Sequence, residues 1–403
     1  MGHFFDDPLH EFFAATLAFG LTSKGGVEPG EVRATCSRIA DGDDGSWYDE
    51  WCATADRIAA AGRASAAAGR RVSARDALIR ASIVYGLAYH PLFGSPIDAR
   101  LVSAAARERD AFAEGVALLD LPGEPFTVDL DGASMPAWFF AAQDGPAPVV
   151  IATNGYDAGT PDLFLGIAVP ALRRGYHCVV FDGPGQGRML VEQRVPIRAD
   201  WERVVTPVVD AVLARPDVDS ERVALMGWSL GGYLALRAAS AEPRLAACIA
   251  DPALYGIREG MLERLRQFGV PDDVIAAYPD IPTEALAPMA GAFENDRFLH
   301  WTLVQRGFWV HGVDSFAAYV RATADFSLAG RLEHVRCPTL VTMAEADPLA
   351  ASAAQVVAEL GTATADLVRF SAVEGAGDHC EWVNRSRFDQ VAFDWLDEQL
   401  AAR

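Results

Sequence analysis

Lysine is almost missing from this 403-residue chain: Lys24 stands alone, and every other basic residue is arginine. With 34 basic against 55 acidic residues the net charge is −21. Nucleic-acid binding needs dense cationic surface to neutralise phosphates, so such partners are disfavoured and an acidic, solvated surface is expected. No apolar run approaches the roughly 18 residues of a membrane span, and none is expected. The first residues, MGHFFDDPLHEFF, carry acids and no basic stretch, so a secretory signal is not expected, and Asp6 spoils a myristoylation match. Six cysteines are scattered at positions 36, 52, 178, 248, 337 and 380 without a C-x-x-C pair, which reads as reduced, buried thiols and a cytoplasmic setting. H-E-x-x-H, Cys/His clusters and EF-hand loops are all absent from the sequence, so no metal is expected. The glycine-rich FDGPGQGR (181–188) has neither G-x-G-x-x-G spacing nor a G-K-[ST] ending, so no nucleotide cofactor is expected. These glycines read as a tight turn near the rim of a site.

What is present is ordinary globular composition, with 51% hydrophobic and 22% charged residues in a length suited to two or three domains. Residues 1–122 read as a helical region. Trp47, Trp51, Ala55, Ile58 and Gly62 recur at helical spacing, as do Ile79, Ile83 and Leu87. His90-Pro91 should end one helix and Leu121-Pro122-Gly123 the region. The texture then changes: FTVDLDG (126–132) and MPAWFFAA (135–142) read as a hairpin around Asp131-Gly132. Strands VVIAT, HCVVFD, RVALMG and ACIAD alternate with helices, and the alternation resumes with TLVTMA and LVRFSA. That rhythm predicts an α/β fold on a mostly parallel sheet over residues 123–403. Residues 253–330 interrupt it with a helical, aromatic-rich insertion.

The segment RVALMGWSLGGYLALRAAS places Gly227-Trp228-Ser229-Leu230-Gly231 between a strand and a helix. G-x-S-x-G in that context is a nucleophile elbow: the serine sits on a tight turn, and small flanking residues avoid clashes. A nucleophilic serine needs a base, and the base needs an orienting acid, in the chain order Ser, acid, His on such folds. Asp347 follows the strand at 339–344, with Glu345 as the weaker candidate, and His379 follows the strand at 367–372. Backbone N–H groups of Leu230 and of Tyr156, in the loop Asn154-Gly155-Tyr156-Asp157, are the candidate oxyanion donors.

The chain resembles the α/β-hydrolase superfamily over roughly residues 124–403. More narrowly it is similar to the branch of pseudooxynicotine-type carbon–carbon hydrolases, fungal heptaketide chain-shortening hydrolases and FrsA-like proteins. Trp47, Trp51, RASIVYGLAYHP, FDGPGQG, GWSLGGY and RCPTLV…EADPLA carry that narrower likeness. The resemblance implies an N-terminal helical domain and a lid insertion jointly covering the site, hydrolysis next to a carbonyl, and a homodimer. The expected substrate is a small molecule, an acyl-aromatic or polyketide-like ketone cleaved through an acyl-enzyme. A carboxylesterase or thioesterase with the same three residues is the alternative, and a non-catalytic ligand-binding protein on this fold a remote one. Carbon–carbon cleavage also asks for a proton at carbon, for which Glu259 and His311 are candidates. Trp228 and Trp309 are candidate walls for a flat substrate.

Overall fold

The computed structural model describes residues 3–361 and 364–401. Eight strands form one sheet in the order β1-β2-β4-β3-β5-β6-β7-β8. They are β1 (Glu124–Leu130), β2 (Ala133–Phe140), β3 (Ala147–Thr153), β4 (His177–Phe181), β5 (Val218–Trp228), β6 (Ala247–Asp251), β7 (Thr339–Ala344) and β8 (Ala365–Phe370). β1 pairs antiparallel with β2 and β2 antiparallel with β4, while every pairing from β4 to β8 is parallel. This is the α/β-hydrolase fold. The hairpin turns at Asp131 and Gly132, at φ 53° and 86°, the paired positive values of a tight hairpin turn that Asp-Gly favours. β3, β4 and β6 are buried along almost their whole length, as strands covered by helices on both faces must be.

Before the sheet, long helices span Asp44–Ala67, Arg71–Tyr89 and Ala99–Val116. Each is alanine-rich, and the first and third are capped by Asp43 and Asp98, which accept from backbone N–H groups of the first turn. The second helix stops at Tyr89, but His90 does not leave the helical region ahead of Pro91: it stays right-handed at φ −53° and ψ −44°, and the chain runs on as a tighter 3-10 turn over His90–Leu92. Ahead of them Phe13–Ala18 forms a wide, π-type turn, a geometry often found at functional sites.

Between β6 and β7 the insertion is helical, with Ile257–Gln267, Thr283–Asn295 and Phe316–Ala322 as its main elements. Its aromatics mostly serve two purposes. Phe293 packs with Phe268 and Phe316 in the insertion's own core. Trp301 packs on Phe13 and Phe93, joining the insertion to the N-terminal helices. No helix among the described residues is long and apolar enough to cross a membrane. All six cysteines are buried, and none is joined in a disulfide.

Candidate active site

β5 ends at Trp228 and a helix begins at Leu230, leaving Ser229 alone at the turn with φ 58° and ψ −133°. A Cβ on Gly227 would lie 1.9 Å from the Gly231 carbonyl oxygen, and one on Gly232 2.0 Å from that of Pro252. The glycines of the G-W-S-L-G-G run are therefore imposed by close backbone approach. Ser229 N–H donates to the Asp251 carbonyl at the end of β6 (2.6 Å), which fixes the turn to the neighbouring strand.

His379 and Asp347 meet Ser229 from the loops after β8 and β7. His379 Nε2 lies 2.9 Å from Ser229 Oγ, and His379 Nδ1 lies 2.7 Å from Asp347 Oδ2. With the imidazole proton on Nδ1 donated to Asp347, Nε2 is left to accept from the serine hydroxyl. Asp347 Oδ1 accepts from Leu349 N–H (2.9 Å), so the carboxylate is held at both oxygens. Glu345 is drawn elsewhere, accepting from Ala372 N–H at 2.8 Å. Burial lowers the His379 pKa, but the Asp347 hydrogen bond and the charges of Asp347, Asp251 and Asp157 outweigh it, and the net shift is upward from 6.5.

The loop after β3 lies against the elbow. Asn154 Oδ1 accepts from Gly155 N–H (2.7 Å) and from Trp228 Nε1 (2.9 Å), while buried Gln186 donates to the Asn154 carbonyl (2.7 Å). The glycine-rich loop after β4 thus braces the site. Gly155's N–H is occupied, and the next amide is that of Tyr156. Leu230 contributes the first N–H of its helix, which has no acceptor within the helix.

Ser229 and His379 open into a cavity of about 90 Å³. Trp228 and Trp382 line it from the core, Phe12, Thr16 and Leu17 from the wide turn near the N-terminus, and Ile83, Leu87 and His90 from the helical region. Asp157 and Asp162 also line it, and burial pushes Asp162 up to about 6. Among the described residues no arginine or lysine does. The N-terminal contributors carry no local motif. They are brought in by packing: Trp382 Nε1 donates to the Leu17 carbonyl, and its ring fills the space beside Gly20.

The insertion stands behind this wall. His311 Nε2 is 2.6 Å from the Tyr156 hydroxyl, and burial pushes His311 down to about 3, so the ring is neutral. Arg306 Nη1 binds Asp157 Oδ2 at 2.5 Å. Glu259 accepts from Ser327 within the insertion (2.6 Å), and Trp309 packs on Phe93. Neither Glu259, His311 nor Trp309 lines the cavity, whereas Trp228 does. Glu259 is captured because its helix starts where Gly256 pairs with Ser327. His311 and Trp309 are consumed by contacts between the insertion and its neighbours.

A serine–histidine–aspartate hydrogen-bonded chain, its aspartate buried and its histidine part-exposed, at the carboxyl ends of a parallel sheet and on a tight strand-to-helix turn is the arrangement of the hydrolase class of α/β proteins. Residues 149–395 match the alpha/beta hydrolase family, and the chain belongs to that family. It is similar to "Hydrolase acrC" of Aspergillus aculeatus, with 32% identity over 93% of each chain. It is also similar to "20-hydroxy-prefusarin hydrolase FUS2" of Gibberella moniliformis, with 32% identity over 94% of this chain and 93% of that one. Among solved structures, a 2,6-dihydroxy-pseudo-oxynicotine hydrolase superposes with a TM-score of 0.74 at 24% identity, covering 95% of this chain and 96% of that one. AbyA5 superposes with a TM-score of 0.60 at 19% identity over 98% of both.

Proposed function

We propose that this chain is a serine hydrolase that cleaves a bond next to a carbonyl through an acyl-enzyme on Ser229. The reading we favour is carbon–carbon hydrolysis of an acyl-aromatic or polyketide-like ketone. The observation that carries the mechanism is the Ser229–His379–Asp347 chain, at 2.9 and 2.7 Å, opening on a largely apolar cavity. The similarity to a hydrolase of 20-hydroxy-prefusarin supports a small organic substrate.

In this reading Ser229 Oγ attacks the carbonyl carbon as His379 Nε2 takes its proton. The N–H groups of Leu230 and Tyr156 stabilise the oxyanion. Collapse breaks the bond to the leaving group, and the His379 imidazolium returns the proton to it, at carbon for a ketone or at oxygen for an ester. Water then gives a proton to His379 and its hydroxyl to the acyl carbon, the acid is released, and Ser229 recovers its proton. His379 supplies every proton, so neither Glu259 nor His311 is needed as a second acid. The helical region 1–122 acts as the cap, with Phe12, Thr16 and Leu17 over the reacting carbonyl.

The test pairs a polyhydroxyaryl ketone with the aryl ester of the same acyl group, on wild type and Ser229→Ala. Ketone cleavage by wild type alone is the expected result. Ester cleavage without ketone cleavage would replace this reading by the esterase one. Equal activity in Ser229→Ala would overturn the mechanism.

A further inference from the structure

Beneath the elbow lies a cluster of charge that the mechanism above does not use. Arg385, Asp251 and Glu381 have side chains at most 1% exposed. Burying an arginine with two carboxyl groups is costly, and such a group persists where its geometry holds something in place. Here one atom makes the decisive contacts. Arg385 Nη1 donates to Asp251 Oδ2 and to the Cys380 carbonyl, both at 2.6 Å. Asp251 Oδ1 is held by Thr342 Oγ1 at 2.8 Å. The guanidinium also lies 5.2 Å from the ring centre of Trp228 and 3.8 Å from that of Phe388, contacts that suit its remaining face.

The two groups that Nη1 joins are those on which the Ser229–His379 distance depends. Asp251 is the residue whose carbonyl receives Ser229 N–H. Cys380 follows His379, and its Sγ lies 3.1 Å from Ser229 N and 3.4 Å from His379 Nε2. The turn needs such a clamp. Cys380 and Glu381 stand consecutively at φ 55° and 46°, a left-handed pair that costs non-glycine residues free energy and persists only when the surroundings impose it. Glu381 lies 3.7 Å from Nη1, and neither of its oxygens has a hydrogen-bond partner. Burial, then the charge of Asp251, pushes its carboxyl well up, and the hydrogen bonds of Nη1 go to Asp251 and Cys380 instead.

We propose that Arg385 is a positioning residue: by tying the end of β6 to the left-handed Cys380-Glu381 turn, it holds His379 Nε2 over Ser229 Oγ. The inference rests on Ser229 being the nucleophile. It requires a loss in the chemical step with little loss in substrate affinity, because Arg385 does not line the cavity.

The experiment measures fluorophosphonate labelling of Ser229, kcat and KM in wild type, Arg385→Lys and the charge-balanced double variant Arg385→Met/Asp251→Asn, each with its melting curve. Lysine keeps the charge but has no planar guanidinium to lie against Phe388 and Trp228, the contacts that hold Nη1 at both acceptors. A folded variant that labels about 10- to 100-fold more slowly, with KM within about threefold of wild type, is the expected result. Folded variants that label at the wild-type rate overturn the proposal, and so does a failure of both to fold, which would make Arg385 a residue of the fold alone. Absence of labelling in wild type would instead strike at the Ser229 reading itself.

Discussion

Gly155 sits against Ser229 so closely that a Cβ there would fall 3.1 Å from Ser229 Oγ and 2.9 Å from Leu230 N. The missing side chain leaves open the space where an oxyanion facing the Leu230 amide would form. Gly155→Ala should lower kcat/KM by about 100-fold, since a methyl group there displaces the reacting carbonyl. Because the Ser229 Cβ is also only 2.9 Å away, overpacking should cost about 1–3 kcal/mol of stability. Steady-state kinetics beside a denaturant titration separates the two effects. A variant with wild-type kcat/KM would remove the oxyanion donors from this loop.

The strain at Ser229 makes a second expectation. Its φ of 58° with ψ of −133° suits glycine, and holding another residue there costs about 1–3 kcal/mol. Ser229→Gly should relieve this, less the roughly 1 kcal/mol that glycine's freedom costs in the unfolded chain. The thermal midpoint should rise by about 1–2 °C while labelling disappears. A lower midpoint would mean that the hydroxyl stabilises the fold.

The pH profile follows from His379. As a base it must be neutral, and its pKa is raised from 6.5 by Asp347's hydrogen bond and neighbouring charge against burial. Activity should therefore fall on acidification with an apparent pKa above about 6.5. Asp347→Asn removes the largest raising contacts and leaves burial against only the weaker charges of Asp251 and Asp157, so the limb should move to lower pH while kcat drops by about 10³–10⁴-fold. The same upward shift stabilises the fold at low pH, and that contribution is lost as pH rises through the folded-state value. A kcat/KM profile from pH 5 to 9 checks the limb; one that stays put in Asp347→Asn contradicts the coupling.

Much of this site is legible in the sequence because it is local. Asp131-Gly132 announces a turn, G-W-S-L-G-G announces backbone crowding, and Asp347 and His379 fall in loops after strands that alternation alone delimits. Glu259, His311 and Trp309 are legible as polar or aromatic residues of an insertion, but not their partners, which depend on how Ser327, Tyr156 and Phe93 pack. Phe12, Thr16 and Leu17 reach the cavity only through the fit of Gly20 on Trp382. The residue types of Cys380 and Glu381 do not mark them for left-handed backbone, since neither is glycine; Arg385 is only five residues on, but its bond to the Cys380 carbonyl comes with a bond to the distant Asp251, which sequence does not announce.

That difference predicts the behaviour of Glu259. Its carboxylate is bound to Ser327 at 2.6 Å and lies outside the cavity lining. Glu259→Gln should leave kcat and KM within about threefold of wild type and cost about 1 kcal/mol of stability. A loss of ketone cleavage with ester cleavage retained would instead mark Glu259 as the proton donor to carbon.

The acyl-enzyme itself is tested most directly by quenching a turnover with acid and mapping the peptides by mass. The account predicts that one peptide, that bearing Ser229, gains the acyl group of the ketone, and that Ser229→Ala gains none. Full product release by wild type with no acylated peptide at any quench time, or acylation at another residue, would contradict it.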